Sequence, residues 1–162
     1  MQQAAPLHDG DEQCVFCSIF ASDLSDEEAY IIWRNERTVV ICNAFPYASG
    51  HLMVMPRRHL ASLDELSAEE SSEIWELLVE AVATLKATYG PDGINVGANL
   101  GAAAGAGIPD HLHLHALPRW RGDTNFMTSV AETRVLPESL AESWRRVKQT
   151  WEDRAVYSSP QA

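Results

Sequence analysis

The stretch His111-Leu112-His113-Leu114-His115 decides the fold prediction. Three of the chain's six histidines alternate here with two leucines. Side chains at positions i, i+2 and i+4 of a β-strand lie on one face, so a strand would place the three imidazoles side by side, roughly 6–7 Å apart. The leucines would then face the core, whereas a helix would separate the histidines. We therefore predict a strand over residues 111–120 with a functional histidine face.

A tract rich in glycine and alanine, residues 97–107, directly precedes this strand. Small residues let backbone N–H groups approach and surround an anion. A tight turn or a flexible loop is the alternative interpretation. The position next to three imidazoles favours a phosphate-binding loop.

The surrounding sequence predicts a single α+β domain. β-Branched and aromatic runs indicate further strands at residues 30–33, 38–44, 51–55 and 94–98. Ser67 and Glu70 form a capping-box pattern that begins a long amphipathic helix ending near Tyr89. A second amphipathic helix begins at Pro137. We expect a mainly antiparallel sheet of about five strands with the long central helix and the C-terminal helix on one side.

The domain limits follow from where packing patterns begin and end. Residues 1–12 lack periodicity and form a predicted flexible leader, residues 13–153 form the domain with its C-terminal helix, and residues 154–162 form a predicted flexible tail. The leader has neither a basic start nor an apolar stretch, so we expect no secretory signal and a cytoplasmic protein.

Composition and charge exclude several classes of function. The 162 residues carry 46% hydrophobic side chains and a net charge of −11. No apolar run is long enough to span a membrane. The negative surface repels polyanions, so we expect neither a nucleic-acid partner nor a membrane partner.

The cysteines indicate a metal site. Cys14 and Cys17 have the spacing of two thiolate ligands, while Cys42 lies in an apolar run and is interpreted as a core residue. A tetrahedral zinc needs two more ligands, for which His59 and His111 are candidates. A reduced pair without metal and a thioredoxin-type redox pair are the alternatives, and the lack of a βαβ context weakens the second. We expect structural zinc and no organic cofactor.

Two blocks of sequence resemble the histidine-triad (HIT) superfamily. The segment His111–Leu117 resembles its H-φ-H-φ-H-φ-φ motif, and Asn43 followed by residues 50–56 resembles its second block. The resemblance spans about residues 14–120. Residues 99–127 further resemble the bacterial diadenosine tetraphosphate phosphorylase subgroup.

The resemblance implies a role for each matching residue. His113 would attack the α-phosphorus and carry a covalent nucleotidyl group, while His115 and His51 would face the phosphates. Asn43 would contact the ribose. The implied phosphate loop contains Asn99, Gly105 and Gly107. In zinc-bearing family members the positions of Cys14, Cys17, His59 and His111 form a Cys₂His₂ site, which would make His111 a ligand rather than a catalyst.

One departure from the family pattern affects the phosphate loop. Many members have Gly-Gln-Ser/Thr-Val before the histidine strand, whereas this chain has Gly105-Ala106-Gly107-Ile108-Pro109-Asp110. A hydroxyl or amide side chain is therefore missing there. Backbone groups or Asn99 would have to orient the leaving group.

The resemblance implies a nucleotidyl transferase that cleaves dinucleoside polyphosphates, specifically a phosphorylase that converts diadenosine tetraphosphate and inorganic phosphate into ATP and ADP. The alternative within the fold is a hydrolase of dinucleoside polyphosphates or nucleoside phosphoramidates. A nucleotide-binding adaptor and a zinc-stabilised interaction module are alternatives of other classes. We also expect a homodimer; Trp75 on the long helix fits a dimer face and the core about equally well.

Overall fold

The computed structural model describes residues 14–123 and 138–158. Its elements in chain order are α1 (Val15–Ala21), β1 (Ile31–Arg34), β2 (Thr38–Cys42), β3 (Leu52–Pro56), α2 (Ala68–Tyr89), β4 (Gly93–Ala98), β5 (Leu114–Arg119) and α3 (Leu140–Ser158). Short 3₁₀ turns lie at Leu63–Glu65 and Ala102–Ala104. In this part of the chain no helix combines the length and the apolar character needed to cross a membrane.

The five strands form one antiparallel sheet in the order β1-β2-β3-β5-β4. The first three strands form the expected meander, and β5 lies between β3 and β4. Leu52 of β3 faces Cys42 on one side and Ala116 on the other. The predicted α+β class with five antiparallel strands is confirmed.

Strands β2 and β3 are buried along their whole length because both faces of the sheet are covered. Val40 and Cys42 face α2 and α3, whereas Val39 and Ile41 face α1. The continuous apolar run in the sequence follows from this two-sided burial. Cys42 is a core residue as predicted, and burial raises the pKa of its thiol to about 12.

Helix α2 begins and ends where its sequence predicts. The Ser67 side chain accepts a hydrogen bond from the Glu70 backbone N–H, and the Glu70 carboxylate accepts one from the Ser67 N–H. Gly90 ends the helix in the left-handed conformation with φ of +55°. The buried face packs across the sheet and comprises Glu70, Ile74, Leu78, Ala81, Thr84 and Leu85.

Three details differ from the sequence predictions. Helix α1 was not predicted, and it covers the face of the sheet opposite α2 and α3, so the helices do not all lie on one side. Strand β5 begins at Leu114, so His111 and His113 precede the paired strand. Helix α3 continues to Ser158, whereas the sequence placed its end near residue 153. The predicted leader 1–12, the helix start at Pro137, residues 124–127 and the last four residues lie outside the described residues.

Candidate active site and metal centre

The His113 imidazole has one ring nitrogen fixed by the backbone. Its Nδ1 lies 2.7 Å from the carbonyl oxygen of His111. A carbonyl oxygen only accepts hydrogen bonds, so Nδ1 carries the ring hydrogen. The lone pair is therefore on Nε2, the nitrogen of a neutral imidazole that can act as a nucleophile.

His51 and His115 form a hydrogen-bonded pair with a defined direction. The Tyr47 backbone N–H donates to His51 Nδ1 over 3.2 Å, so the His51 hydrogen is on Nε2. His51 Nε2 then donates to His115 Nδ1 over 2.9 Å. The remaining hydrogen of neutral His115 is on Nε2, which leaves that nitrogen as a donor.

The three imidazoles predicted to be catalytic form one continuous row. The ring centroids of His113 and His115 are 4.9 Å apart, and those of His115 and His51 are 5.0 Å apart. His51 and His113 are buried. The structure thus places a nucleophilic nitrogen beside a pair that can donate hydrogen bonds to an anion.

Burial lowers the pKa of His115 from its ordinary value of 6.5, and the neighbouring His113 lowers it further. The neutral ring is the form that accepts the hydrogen from His51. Protonation would place hydrogens on both His115 nitrogens and break this hydrogen bond. At neutral pH the pair is therefore intact.

This lowered pKa predicts a pH dependence of folding stability. Unfolded His115 binds a proton near pH 6.5, whereas the folded protein binds it only at lower pH, so the unfolding free energy should fall as pH drops from about 6.5 toward the lowered pKa. Denaturant unfolding at several pH values should show a shallower fall for His115→Gln than for the wild type. Identical pH slopes for the two proteins would contradict this assignment.

Four predicted metal ligands converge on a second cluster: Cys14, Cys17, His59 and His111. Their ligand atoms all lie within 4.8 Å of one another. His111 Nδ1 is 3.3 Å from Cys14 Sγ and 3.5 Å from Cys17 Sγ, and His59 Nδ1 is 3.4 Å from Cys17 Sγ. A tetrahedral zinc with its usual bond lengths separates such ligand atoms by about 3.3–3.8 Å. The donor set and its spacing therefore fit zinc.

His111 belongs to both clusters. Its ring Nε2 donates to the Pro56 carbonyl oxygen over 2.9 Å, which leaves the Nδ1 lone pair facing the thiols. Its own carbonyl oxygen accepts the hydrogen of His113 Nδ1. Phe16 lies between Cys14 and Cys17 in the sequence. Its ring packs on the rings of His111 and His113, with centroid distances of 5.3 Å and 5.5 Å. The cysteine–histidine cluster is therefore in direct contact with the His113 ring.

The predicted nucleotide contacts are only partly grouped around the histidines. Asn43 Nδ2 lies 3.4 Å from His51 Nδ1, and its backbone N–H donates to the His51 carbonyl. Gly97 and Ala98 pair with His115 and Leu114, and Asn99 follows directly after this last paired residue of β4. Gly105 and Gly107 lie in the loop that connects β4 to β5, and Gly105 has φ of +90°.

Two side chains next to the predicted histidines, Tyr47 and Arg58, were not among the predicted site residues. The Tyr47 ring packs on His51 at 4.8 Å, in addition to its backbone hydrogen bond. Arg58, next to His59, forms an ion pair with Glu70 of α2 and lowers the pKa of that carboxyl to about 2. An aromatic residue in the turn at residues 43–50 could have indicated Tyr47 as a neighbour of His51. No sequence motif contains both Arg58 and Glu70, which are twelve positions apart, so their ion pair could not be predicted.

Comparison with known proteins identifies the family. The family model described as "HIT domain" matches residues 25–122 of this chain. The chain belongs to the HIT family. A HIT-like protein of Mycoplasma genitalium with no characterised activity is 30% identical over 137 residues, which cover 85% of this chain and 93% of that relative.

Two HIT relatives carry a functional name. Proteins called AP-4-A phosphorylase from two strains of Mycobacterium tuberculosis are each 39% identical over 128 residues, or 79% of this chain. The match covers 66% of their length, so this chain spans just under two thirds of those relatives.

One solved structure with this fold is described as zinc-bound. The zinc-bound histidine triad protein of Mycobacterium smegmatis superposes with a TM-score of 0.74 at 26% identity, covering 92% of this chain and all of the other. A histidine triad nucleotide-binding protein of Sulfolobus tokodaii also reaches 0.74, at 25% identity, over 91% of this chain and 98% of the other.

Proposed function

We propose that this HIT protein is a nucleotidyl transferase in which His113 Nε2 attacks the α-phosphorus of a dinucleoside polyphosphate. The observation that carries the proposal is the hydrogen bond from His113 Nδ1 to the His111 carbonyl, because it leaves Nε2 as the free nucleophilic nitrogen. The family match and the 39% identity to AP-4-A phosphorylases support an enzyme over a binding module, with diadenosine tetraphosphate as substrate.

The first step would transfer an adenylyl group to His113. The bond from Nε2 to the α-phosphorus forms while the bond from that phosphorus to its bridging oxygen breaks, and ATP leaves with the bridging oxygen. The His111 carbonyl stabilises the positive charge that develops on the ring through the Nδ1 hydrogen. His115 Nε2–H, oriented by His51, would donate to the phosphate oxygens.

In the second step inorganic phosphate would attack the adenylyl-histidine, break the phosphorus–nitrogen bond and release ADP. Asn43 would contact the ribose. The proposed phosphate loop consists of Asn99, Gly105 and Gly107, whose backbone donors would replace the side chain missing from the family pattern.

Phosphorolysis predicts an absolute requirement for inorganic phosphate in turnover. With diadenosine tetraphosphate and phosphate, chromatography should show ATP and ADP in equal amounts; without phosphate, multiple turnover should stop after one adenylyl transfer per site. A hydrolase would instead release AMP and ATP at the same rate with or without phosphate, and this result would contradict the phosphorylase assignment. His113→Ala provides the background control.

We also propose that the Cys₂His₂ cluster binds zinc in a structural role. Cys14, Cys17, His59 and His111 would fill all four tetrahedral positions and leave none for substrate. The bound zinc would join α1 to the chain segments that follow β3 and precede β5. A cytoplasmic location, which we propose as well, would keep the thiols reduced and available to the metal.

The proposed homodimer would cover apolar side chains that one chain leaves exposed. Trp75 and Val79 on α2 are 63% and 56% exposed, so Trp75 is not a core residue. β4 lies at the edge of the sheet, and Val96 on it is 45% exposed. Exposed apolar groups and a strand edge are both features that a second subunit can cover.

A charge placed on the exposed apolar face of α2 should separate the subunits. Val79→Glu should convert a dimer into a monomer in light-scattering measurements, because the carboxylate would be buried without a partner. Ala141→Glu, which adds the same charge at an exposed position of α3, is the matched control and should stay dimeric. A Val79→Glu protein of unchanged mass would contradict this interface.

A further inference from the structure

The Tyr89 ring lies directly against the backbone of Gly50. A Cβ added at Gly50 would overlap Tyr89 Cε2 and would lie only 3.0 Å from Cζ. Gly50 also has φ of +78°, a conformation that other residues rarely adopt. Glycine is thus required here for two separate reasons, and one of them is the close approach of this ring.

Residues near the start of α3 hold Tyr89 in place. Its hydroxyl donates to the Glu138 carboxylate, which also accepts from Ser143 and forms an ion pair with Arg146 over 2.7 Å. The Arg146 guanidinium lies 4.7 Å from the Tyr89 ring centroid. Trp120 packs edge-on against the same ring at 6.2 Å.

The residue that follows Gly50 is His51, which orients His115 through the 2.9 Å hydrogen bond. The backbone N–H of His51 donates to Ala48, and its carbonyl accepts from Asn43. These contacts fix the turn internally, and the Tyr89 ring packs against it at Gly50. Displacing Gly50 would rotate the backbone that carries His51.

We infer that Tyr89 is a positioning residue for His51, and that α3 supports catalysis by holding the Tyr89 ring against Gly50. The kinetic part of this inference rests on the proposed function. Tyr89 touches neither His115 nor His113 in the described contacts; it acts through Gly50 and His51. This gives the C-terminal helix a role in the site although it contributes no imidazole.

Burial, and the hydrogen bond to Glu138, raise the pKa of Tyr89. The hydroxyl therefore stays protonated and remains a donor over the range in which the enzyme would be assayed. The contact between Tyr89 and α3 is therefore the same throughout this pH range. The effect of Tyr89 on His51 is steric and is not a pH-dependent switch.

The kinetic test compares three variants of the full chain. Tyr89→Ala should lower kcat on the order of 10- to 100-fold with little change in KM, because a small displacement of an orienting group affects the reacting geometry more than ground-state binding. Tyr89→Phe loses the hydrogen bond to Glu138 but keeps the ring and its contacts with Arg146 and Trp120, so it should stay within a few-fold of the wild type. Leu85→Ala, a buried deletion one turn earlier in α2, should destabilise the protein without this loss in kcat.

A second measurement needs no substrate and so separates this inference from the proposed function. Nitrogen-15 spectra of labelled histidine side chains should show the His51 Nε2–H signal in the wild type and in Tyr89→Phe, and its loss or shift in Tyr89→Ala.

A double-mutant cycle in kcat adds the variant Gly50→Ala. This substitution should lower kcat by a smaller factor when Tyr89 is already alanine than when Tyr89 is present. An unchanged His51 signal in Tyr89→Ala, or additive effects in the cycle, would overturn the inference even if the enzyme turns over as proposed.

Discussion

Replacing His113 with alanine should reduce turnover of diadenosine tetraphosphate by a factor on the order of 10³ to 10⁶, the range expected when a covalent nucleophile is removed. No other ring in the row has a free acceptor nitrogen in the same environment. His51 Nδ1 accepts from the Tyr47 backbone, and His115 Nδ1 accepts from His51. Neither can replace His113 without breaking the pair.

A second variant separates nucleophilicity from folding. His113→Asn retains an N–H group that can donate to the His111 carbonyl but has no nitrogen that can attack phosphorus. Both variants should bind ATP with affinities close to the wild type in calorimetry, and both should lose turnover. Wild-type turnover in either one would show that His113 is not the nucleophile.

Loss of the metal site should have the largest effect on stability. Cys17→Ser should lose about one equivalent of zinc per chain and about 4 kcal/mol of unfolding free energy, because the site joins three separate chain segments and metal binding is coupled to folding. Activity should fall as well, since the His111 carbonyl that orients His113 belongs to one of the proposed ligand residues. Metal analysis and denaturant unfolding measure the two changes.

Cys42→Ser is the matched control for the loss of a buried thiol. Cys42 lies in the core on the other face of the sheet and is not part of the metal cluster. This variant should keep its zinc while losing some stability. A Cys17→Ser protein with a full equivalent of zinc, or a wild-type protein whose unfolding is unchanged by a strong chelator, would contradict the structural metal site.

The sequence predicted the sheet and the long helix because their patterns are long and local. All five residues of β2 and all five of β3 are buried, so each strand is seen in the sequence as a mainly apolar run. The Ser67 capping box marks the start of α2. Helix α1 was not predicted because its seven residues are too few to show a helical period. β5 was placed three residues early because the alternation of leucine and histidine continues beyond its backbone pairing.

The candidate site was predictable as a set of residues but not as an arrangement. The histidine motif and the cysteine pair indicated which side chains to expect together. The direction of the His51–His115 hydrogen bond depends on the Tyr47 backbone, which no side-chain pattern reports. The contact between Gly50 and Tyr89 joins residues 39 positions apart, and only the three-dimensional packing reveals it.

The central claim is that His113 Nε2 forms a covalent bond to phosphorus, and trapping that intermediate tests it most directly. The protein is mixed with diadenosine tetraphosphate in the absence of phosphate, quenched under basic conditions that preserve a phosphorus–nitrogen bond, digested and mapped by mass spectrometry. We predict one adenylyl group on His113 and its loss as ADP when phosphate is added. An adduct on His51 or His115, or turnover with no adduct on His113, would contradict the account.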